Sequence, residues 1–197
     1  MSLVVHGRPG SRARRPLWVL RELDVPFENV VPEPGAVKQS AFLAINPNGK
    51  VPVLEEDGFV LFESFAQALY LAKKHGAGTL YPADPQGEAL AWQWTFWALN
   101  ELERPLTTCL FERVLKPEAD RDPAAAAMAE EQLQAPLGVL DAALSGRTWL
   151  LGDTFTVADI NVAAVLALSR AAKVAIDARH NVNRWLDAAL ARPAYGS

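Results

Sequence analysis

The stretch Asn46-Pro47-Asn48-Gly49-Lys50-Val51-Pro52-Val53-Leu54 decides how the first part of this 197-residue chain folds. Its first four residues are typical of a tight turn, and a β-type run from Val51 to Glu55 follows. Asp57-Gly58 separates this run from a second one, Phe59 to Phe62, and that spacing predicts a β-hairpin. A proline cannot donate a hydrogen bond to a β-ladder, so Pro52 marks an unusual backbone position.

The segments on either side extend this hairpin to an α/β unit. On the N-terminal side, the pattern predicts a strand from Leu3 to His6, a helix from Arg14 to Leu23 and a strand from Phe27 to Val31. On the C-terminal side, Ser64 followed by Gln67 matches a capping box, which predicts a helix that begins at Ser64 and ends at His75-Gly76. The order is β-α-β, a link, then β-β-α, and we place this α/β domain at residues 1–76.

Residues 77–87 contain the glycines and prolines of a linker, and the rest of the chain is predicted to be all-helical, over residues 88–197. A long helix from Glu88 to about Leu115 should be kinked at Pro105, which removes one backbone hydrogen bond. Asp122-Pro123 has the pattern of an N-cap followed by a first-turn proline. Further helices are indicated by leucines 133, 137, 140 and 144, by the capping pair Thr156 and Asp159, and by the run from Val182 to Leu190.

Composition and charge exclude several classes of protein. The chain is 50% hydrophobic and 21% charged, which is ordinary for a globular protein. Its formal net charge is -4, so the chain as a whole has no excess of positive charge that would favour binding to nucleic acid. The basic cluster Arg12, Arg14 and Arg15 favours a solvated face or a site for one small anion. Cys109 is the only cysteine, which excludes a disulfide framework or a cysteine zinc cluster and favours a cytoplasmic location. No segment has the pattern of a signal peptide or a membrane span.

Four stretches together resemble the glutathione transferase superfamily, in its bacterial, serine-type, cytosolic form. They are Gly7 to Glu22, Phe42 to Leu54, Leu61 to Leu71, and Leu151 to Ile160. Each is a common local pattern, and it is their order and spacing along nearly the whole chain that carry the resemblance. It implies a thioredoxin-like domain that binds glutathione, followed by an all-helical domain that supplies the second-substrate pocket. Glutathione is the implied co-substrate, and no metal is expected.

The resemblance also implies which residues bind glutathione. A cis peptide bond before Pro52 would turn the backbone of Val51 towards the cysteinyl part of the ligand. Ser64 and the N–H groups of its helix would receive the γ-glutamyl carboxylate, while Glu63 would face the amine. Lys38 and Lys50 are both candidates for the glycyl carboxylate.

Ser11 is the predicted catalytic residue, because serine-type members place their hydroxyl between the first strand and the first helix. A hydroxyl there can donate a hydrogen bond to the glutathione thiolate. Two alternatives stay open, namely that Ser11 is only a helix cap and that a backbone N–H, in an alignment on Gly10, activates the thiol. Tyrosine-type and cysteine-type chemistry are excluded at this position, since neither residue occurs in the first strand or its loop.

The second substrate is expected to be a small electrophile bound between the domains, with Arg8, Trp97 and Phe111 as candidate lining residues. The aromatic helix from Ala91 onward also offers apolar surface for a two-fold homodimer. Conjugation of electrophiles is the leading activity, in a detoxifying role. A glutathione-dependent peroxidase or reductase, an isomerase or dehalogenase, and a non-catalytic glutathione-binding regulator on the same scaffold remain alternatives.

Overall fold

The structure is a computed structural model that describes residues 2–196. The chain divides into two compact units. The N-terminal unit contains residues 2–81 and 193–195, and the helical unit contains residues 82–192 together with Gly196. The division after Tyr81 lies within the segment 77–87, and the domain limits given above stay a prediction.

The N-terminal unit is a four-stranded sheet with helices. Its elements are β1 (Leu3–His6), α1 (Arg14–Glu22), β2 (Glu28–Val30), a 3-10 turn (Ala36–Lys38), α2 (Ser40–Ile45), β3 (Val53–Glu56), β4 (Phe59–Phe62) and α3 (Ser64–His75). The strand order is β2-β1-β3-β4, with β1 parallel to β2 and the other pairs antiparallel. This arrangement confirms the predicted thioredoxin-like α/β class.

Alternating burial explains how the sheet holds α1 and α3. Leu3 and Val5 of β1 are buried, whereas Val4 and His6 between them are only half-buried, as expected for side chains on opposite faces. Leu17 and Leu20 on α1 are fully buried, and α1 packs against α3. Burying one such leucine contributes about 1.5–3 kcal/mol.

One turn and one short helix show where the sequence pattern was sufficient for a prediction and where it was not. Asp57 and Gly58 both have positive φ, at 47° and 88°, which is the geometry of a tight hairpin turn and confirms the predicted hairpin. The helix α2 was not predicted. It has six residues, and only Phe42 is buried, so it carries no apolar periodicity.

The helical unit confirms the predicted all-α class. It contains α4 (Pro85–Trp97), α5 (Arg104–Leu110), α6 (Pro123–Gln132), α7 (Gln134–Ala143), α8 (Val157–Leu166), α9 (Leu168–Ala171) and α10 (His180–Leu190). A short α11 (Pro193–Gly196) ends the described residues, and its residues 193–195 belong to the N-terminal unit. Every residue of α8 is buried, which makes it the central helix of this unit. The predicted N-cap Asp122 accepts a hydrogen bond from the N–H of Ala125 at 3.0 Å.

The predicted long helix from Glu88 to Leu115 is helical throughout, but it begins earlier, at Pro85, and it is not regular. Two π-helical segments, Ala98–Glu103 and Phe111–Leu115, interrupt it before and after α5. Pro105 lies two residues after the first of them, within the first turn of α5. Because proline has no N–H, the backbone at this point cannot keep a regular α-helical ladder, and the wider turns precede it.

Asp159 ties the start of α8 to two other parts of the helical unit. Its carboxylate accepts from the N–H of Thr156 at 2.9 Å and from the Thr156 hydroxyl at 3.3 Å, which confirms the predicted capping pair. It also accepts from the N–H of Leu150 at 2.9 Å and from Nε1 of Trp185 at 2.8 Å. Asp159 is fully buried, so these bonds stabilise more than one helix end.

The last described residues complete the N-terminal unit. The Tyr195 ring packs on Trp18 of α1 with a centroid distance of 4.9 Å, and Arg14 donates to the Tyr195 hydroxyl at 2.7 Å. Trp18 is 1% exposed. Tyr195 therefore covers part of the first helix.

Candidate active site

The loop between β1 and α1 lets Ser11 approach the residue before Pro52. Gly7 has a φ of 144°, and a Cβ at this position would lie 2.8 Å from the Cβ of Ala13. Only glycine fits there. The same point lies 3.3 Å from the Val51 Cβ and 3.6 Å from the Ser11 Oγ, so both side chains converge on Gly7.

The Ser11 hydroxyl is engaged with the local backbone. It donates to the carbonyl of Arg8 at 2.7 Å, and its oxygen accepts from the N–H of Ala13 at 3.2 Å. Helix α1 begins three residues later, at Arg14, so Ser11 itself is not the N-cap residue. The side chain is half-exposed, which leaves the hydroxyl accessible to a ligand.

The turn that leads to Pro52 is fixed by one buried asparagine. Asn46 is 3% exposed; its Nδ2 donates to the carbonyl of Lys50 at 2.7 Å, and its Oδ1 accepts from the N–H of Asn48 at 3.0 Å. Gly49 has a φ of 58°, and the Lys38 Nζ lies 3.0 Å from the position that a Gly49 Cβ would take. Lys38 and Lys50 therefore present two exposed ammonium groups at one turn.

The peptide bond between Val51 and Pro52 is cis, as the resemblance implied. Among residues 2–196, no hydrogen bond engages the backbone N–H or carbonyl of Val51, which precedes the first paired residue of β3. Pro52 is buried, and its carbonyl accepts from Nε2 of Gln67 at 3.2 Å. A free donor and acceptor next to an anchored proline can pair with a peptide-like ligand.

Helix α3 begins next to this segment and leaves its first N–H groups available. Glu63 directly before it has a φ of 72° and makes no side-chain cap. A non-glycine residue in this region costs of order 1–3 kcal/mol and is found most often at functional sites. The first backbone bond of α3 runs from the N–H of Gln67 to the carbonyl of Glu63. The N–H groups of the first turn can therefore receive an anion.

The predicted capping box of Ser64 and Gln67 was wrong. Ser64 is the first helical residue and not the N-cap, and Gln67 does not reach back to it. Its side-chain amide donates to the carbonyls of Pro52 and Leu61 instead, at 3.2 and 2.8 Å. Gln67 is fully buried between them, so it joins α3 to the cis-proline segment and to β4.

Ser64 is held from the side of α1. Its side chain is 3% exposed, and its Oγ accepts a hydrogen bond from Nη1 of Arg15 at 2.8 Å. Arg15 is itself 3% exposed, and its guanidinium lies 3.9 Å above the ring centroid of Phe65. The helix that begins after Ser11 thus also contacts the serine at the start of α3.

The structure brings part of the predicted site together. Ser11 and Val51 meet at Gly7, Ser64 is bound to α1, and Lys38 lies over the turn before Lys50. Arg8 is exposed in the loop before Ser11. Trp97 and Phe111 belong to the helical unit, where Trp97 is half-buried against Trp94 and Phe111 is 47% exposed. The assignment of Arg8, Trp97 and Phe111 to a second substrate stays a prediction.

Three residues support the site through contacts that the sequence did not predict. They are Arg15, Gln67 and Asn29, whose Nδ2 donates to the carbonyls of Val5 and Gly7 at 2.8 Å each. Nothing in the sequence separates buried Arg15 from its neighbour Arg14. Asn29 follows a strand pattern, where a polar side chain is expected on the solvated face. For Gln67, the capping-box spacing pointed to a different partner.

Among residues 2–196, no three His, Cys, Asp or Glu side chains are grouped as metal ligands. Within the same residues, no helix combines the length and apolar character needed to cross a bilayer.

The arrangement supplies what a small thiol peptide requires. One end offers a helix N-terminus and a buried serine for a carboxylate, the middle offers free backbone groups at Val51, and the other end offers two lysines for a second carboxylate. Ser11 provides a hydroxyl near the middle. No residue at this site must act as a base, because a donor to the thiolate is sufficient to lower the thiol pKa.

Comparison with known proteins agrees with this chemistry. The model of the glutathione S-transferase N-terminal domain matches residues 2–73, and that of the C-terminal domain matches residues 104–193. Glutathione S-transferase GstB of Escherichia coli (strain K12) is 33% identical, over 98% of this chain and 95% of its own. Glutathione S-transferase 3 of Zea mays is 36% identical, over 98% and 91%.

Solved structures give the same result. A theta class glutathione S-transferase from Xanthomonas axonopodis pv. citri, crystallised with glutathione bound, superposes with a TM-score of 0.92. It is 30% identical, and the match covers 98% of this chain and 95% of that one.

Proposed function

This chain belongs to the glutathione S-transferase family, and from that premise we propose that it joins the thiolate of glutathione to small electrophiles, with Ser11 as the donor to the thiolate. The observation that carries the proposal is the convergence of Ser11 and the free backbone of Val51 at Gly7. A cysteinyl residue paired to Val51 would have its sulfur near the Ser11 hydroxyl.

The remaining groups would fix the two ends of glutathione. The γ-glutamyl carboxylate would bind the Ser64 hydroxyl and the first N–H groups of α3, where negative charge is favoured. Glu63, which is exposed, would face the amine. Lys38 and Lys50 both remain candidates for the glycyl carboxylate, since both lie at the same turn.

The free-energy requirement of the reaction fits one hydroxyl. A thiol with a pKa of about 8.5 is only about 7% ionised at pH 7.4, and lowering the pKa by about two units makes it about 90% ionised. That shift needs about 2.7 kcal/mol. One hydrogen bond to a charged group contributes about 1.5–3 kcal/mol.

The present hydrogen bonds of Ser11 allow this donation. Its O–H is bound to a neutral carbonyl, that of Arg8, and such a bond contributes only about 0.5–1.5 kcal/mol. Rotation towards a thiolate exchanges it for a stronger, charge-assisted bond. The oxygen is meanwhile held by the N–H of Ala13, so only the hydrogen has to move.

Retention on immobilised glutathione, followed by turnover with a panel of electrophiles and hydroperoxides, tests the proposal. We expect retention and conjugation, with Ser64→Ala as a folded variant that is retained less. Turnover of hydroperoxides alone would instead support the peroxidase alternative. Retention without any turnover would support a non-catalytic regulator, and a chain that is not retained would contradict glutathione binding altogether.

We also propose a cytoplasmic location and a detoxifying role for this activity. Cys109, the single cysteine of the sequence, is buried and free, which fits a reducing compartment. Conjugation to glutathione would make reactive electrophiles harmless, which is the basis of the proposed detoxifying role.

A homodimer is the further part of the proposal, and an exposed apolar stripe supports it. Trp92, Phe96 and Leu99 follow one another at i, i+4 and i+7, the spacing of one helix face. They are 45%, 54% and 43% exposed. A stripe of this kind at the surface is typical of an interface.

We expect light scattering at micromolar concentration to give twice the chain mass of 21.4 kDa. Phe96→Asp should shift the protein towards monomer, because it places a charge in the centre of the stripe. Val139→Asp, a change at another exposed apolar residue, on α7, is the matched control and should leave the mass unchanged. A wild-type monomer would contradict the dimer.

A further inference from the structure

Arg15 is a buried cation in the N-terminal unit that contacts the start of α3. It lies on the buried face of α1 and is 3% exposed. Removing a guanidinium from water is costly, and an apolar side chain could fill the same space without that cost. Two of its contacts are the Ser64 hydroxyl at 2.8 Å and the ring of Phe65. Both contacts belong to the first turn of α3.

The direction of the bond between Arg15 and Ser64 determines what the serine can do. A guanidinium can only donate, so the Ser64 oxygen is the acceptor and its own hydrogen is left for another group. An accepted bond from a cation also makes the hydroxyl a stronger donor. The acceptor best suited to that hydrogen is an anion at the start of α3, where the first N–H groups are available.

The charge of Arg15 would also act directly on such an anion. A carboxylate oxygen bonded to Ser64 would lie within roughly 5 Å of the guanidinium, which is two successive hydrogen-bond lengths. The site is largely removed from solvent, because Ser64 is 3% exposed. Opposite charges at this distance attract more strongly there than at an exposed surface.

We propose that Arg15 is a positioning residue that makes Ser64 selective for the α-carboxylate of the γ-glutamyl group. It acts through the hydroxyl and through its charge, and it does not take part in thiol activation, which is assigned to Ser11 one turn earlier on the same segment. The inference rests on the proposed function. It predicts that Arg15 determines which peptides are accepted and leaves the reactivity of the bound thiol unchanged.

A ligand pair isolates this role. Glutathione is compared with 4-aminobutyryl-cysteinyl-glycine, which lacks only the α-carboxylate, by calorimetric titration. We expect the wild-type protein to prefer glutathione, and Arg15→Met to lower the ratio of the two affinities by at least about tenfold, since a charge-assisted contact is lost. The affinity for the analogue should change little. Arg14→Met is the matched control, because Arg14 binds Tyr195 and not Ser64, and it should keep the wild-type ratio.

Further readouts separate positioning from structural support. Arg15→Lys keeps a cation and should give an intermediate ratio, and ultraviolet titration should give the same bound-thiol pKa in Arg15→Met as in wild type. If Arg15→Met does not fold, Ser64→Ala is combined with Arg15→Lys, and the two effects on the ratio should be less than additive. Equal weakening of both ligands, an unchanged ratio, or additive effects would overturn the proposal. A wild-type protein that binds neither ligand would instead reject the proposed function.

Discussion

Replacing Asp159 with alanine is expected to lower the free energy of unfolding by about 3–5 kcal/mol. The N–H groups of Leu150 and Thr156 and the indole N–H of Trp185 would lose their common acceptor inside the protein. Each unsatisfied buried donor costs about 1–3 kcal/mol. Burial raises the pKa of Asp159 despite these bonds, so relief of carboxylate desolvation offsets part of the loss.

Urea unfolding of Asp159→Ala measures this change, with Asp153→Ala as the control. Asp153 lies in the same loop but is exposed, so its replacement should change the stability by no more than about 0.5 kcal/mol. Turnover per folded molecule should stay at the wild-type level in both variants. A variant that keeps its stability and loses turnover would show that Asp159 belongs to the catalytic machinery.

Ser11→Ala is expected to reduce turnover by several-fold to about tenfold near neutral pH. Loss of a charge-assisted hydrogen bond of about 1.5–3 kcal/mol raises the thiol pKa of bound glutathione by about one to two units. The affinity for glutathione should stay within a few-fold, because the carboxylate receptors and the Val51 backbone are unchanged. Raising the pH should restore part of the rate, since the thiolate fraction then increases.

Ultraviolet titration of the bound thiolate in wild type, Ser11→Ala and Ser11→Thr tests this mechanism directly. The threonine variant keeps a hydroxyl and should have a thiol pKa closer to wild type than the alanine variant. An unchanged thiol pKa in Ser11→Ala would assign the donor to a backbone N–H or to Arg8. Ser11 would then only support the loop, through its bonds to Arg8 and Ala13.

Local patterns predicted those features whose cause is local. Asp122 and Thr156 cap helices because the side chain and the N–H that it binds are three residues apart. The Asp57-Gly58 turn follows from the preference of these two residues for positive φ. The four sequence stretches that gave the family also gave the fold class, because their order fixes the order of strands and helices.

Features that depend on tertiary contacts were missed or misassigned. The spacing of Ser64 and Gln67 is that of a capping box, but the buried carbonyls of Pro52 and Leu61 take the glutamine amide. Because a buried carbonyl needs a hydrogen-bond donor, these two carbonyls determine which partner Gln67 binds. They are brought to Gln67 by the fold and not by helical spacing. Arg15 is a similar case: helix spacing places it beside the other residues of α1, and only the packing of α1 on α3 makes it a buried contact of Ser64.

The contact between Tyr195 and Trp18 can form only late in synthesis of the chain. Helix α1 is made early, whereas residues 193–195, which belong to the same unit, are made after residues 82–192. At about 5–20 residues per second, the roughly 110 residues between residue 81 and residue 193 take roughly 6–20 s to translate. During that time Trp18 lacks the ring that packs on it in the finished protein. The N-terminal unit therefore reaches this packing only after residue 195 has been made.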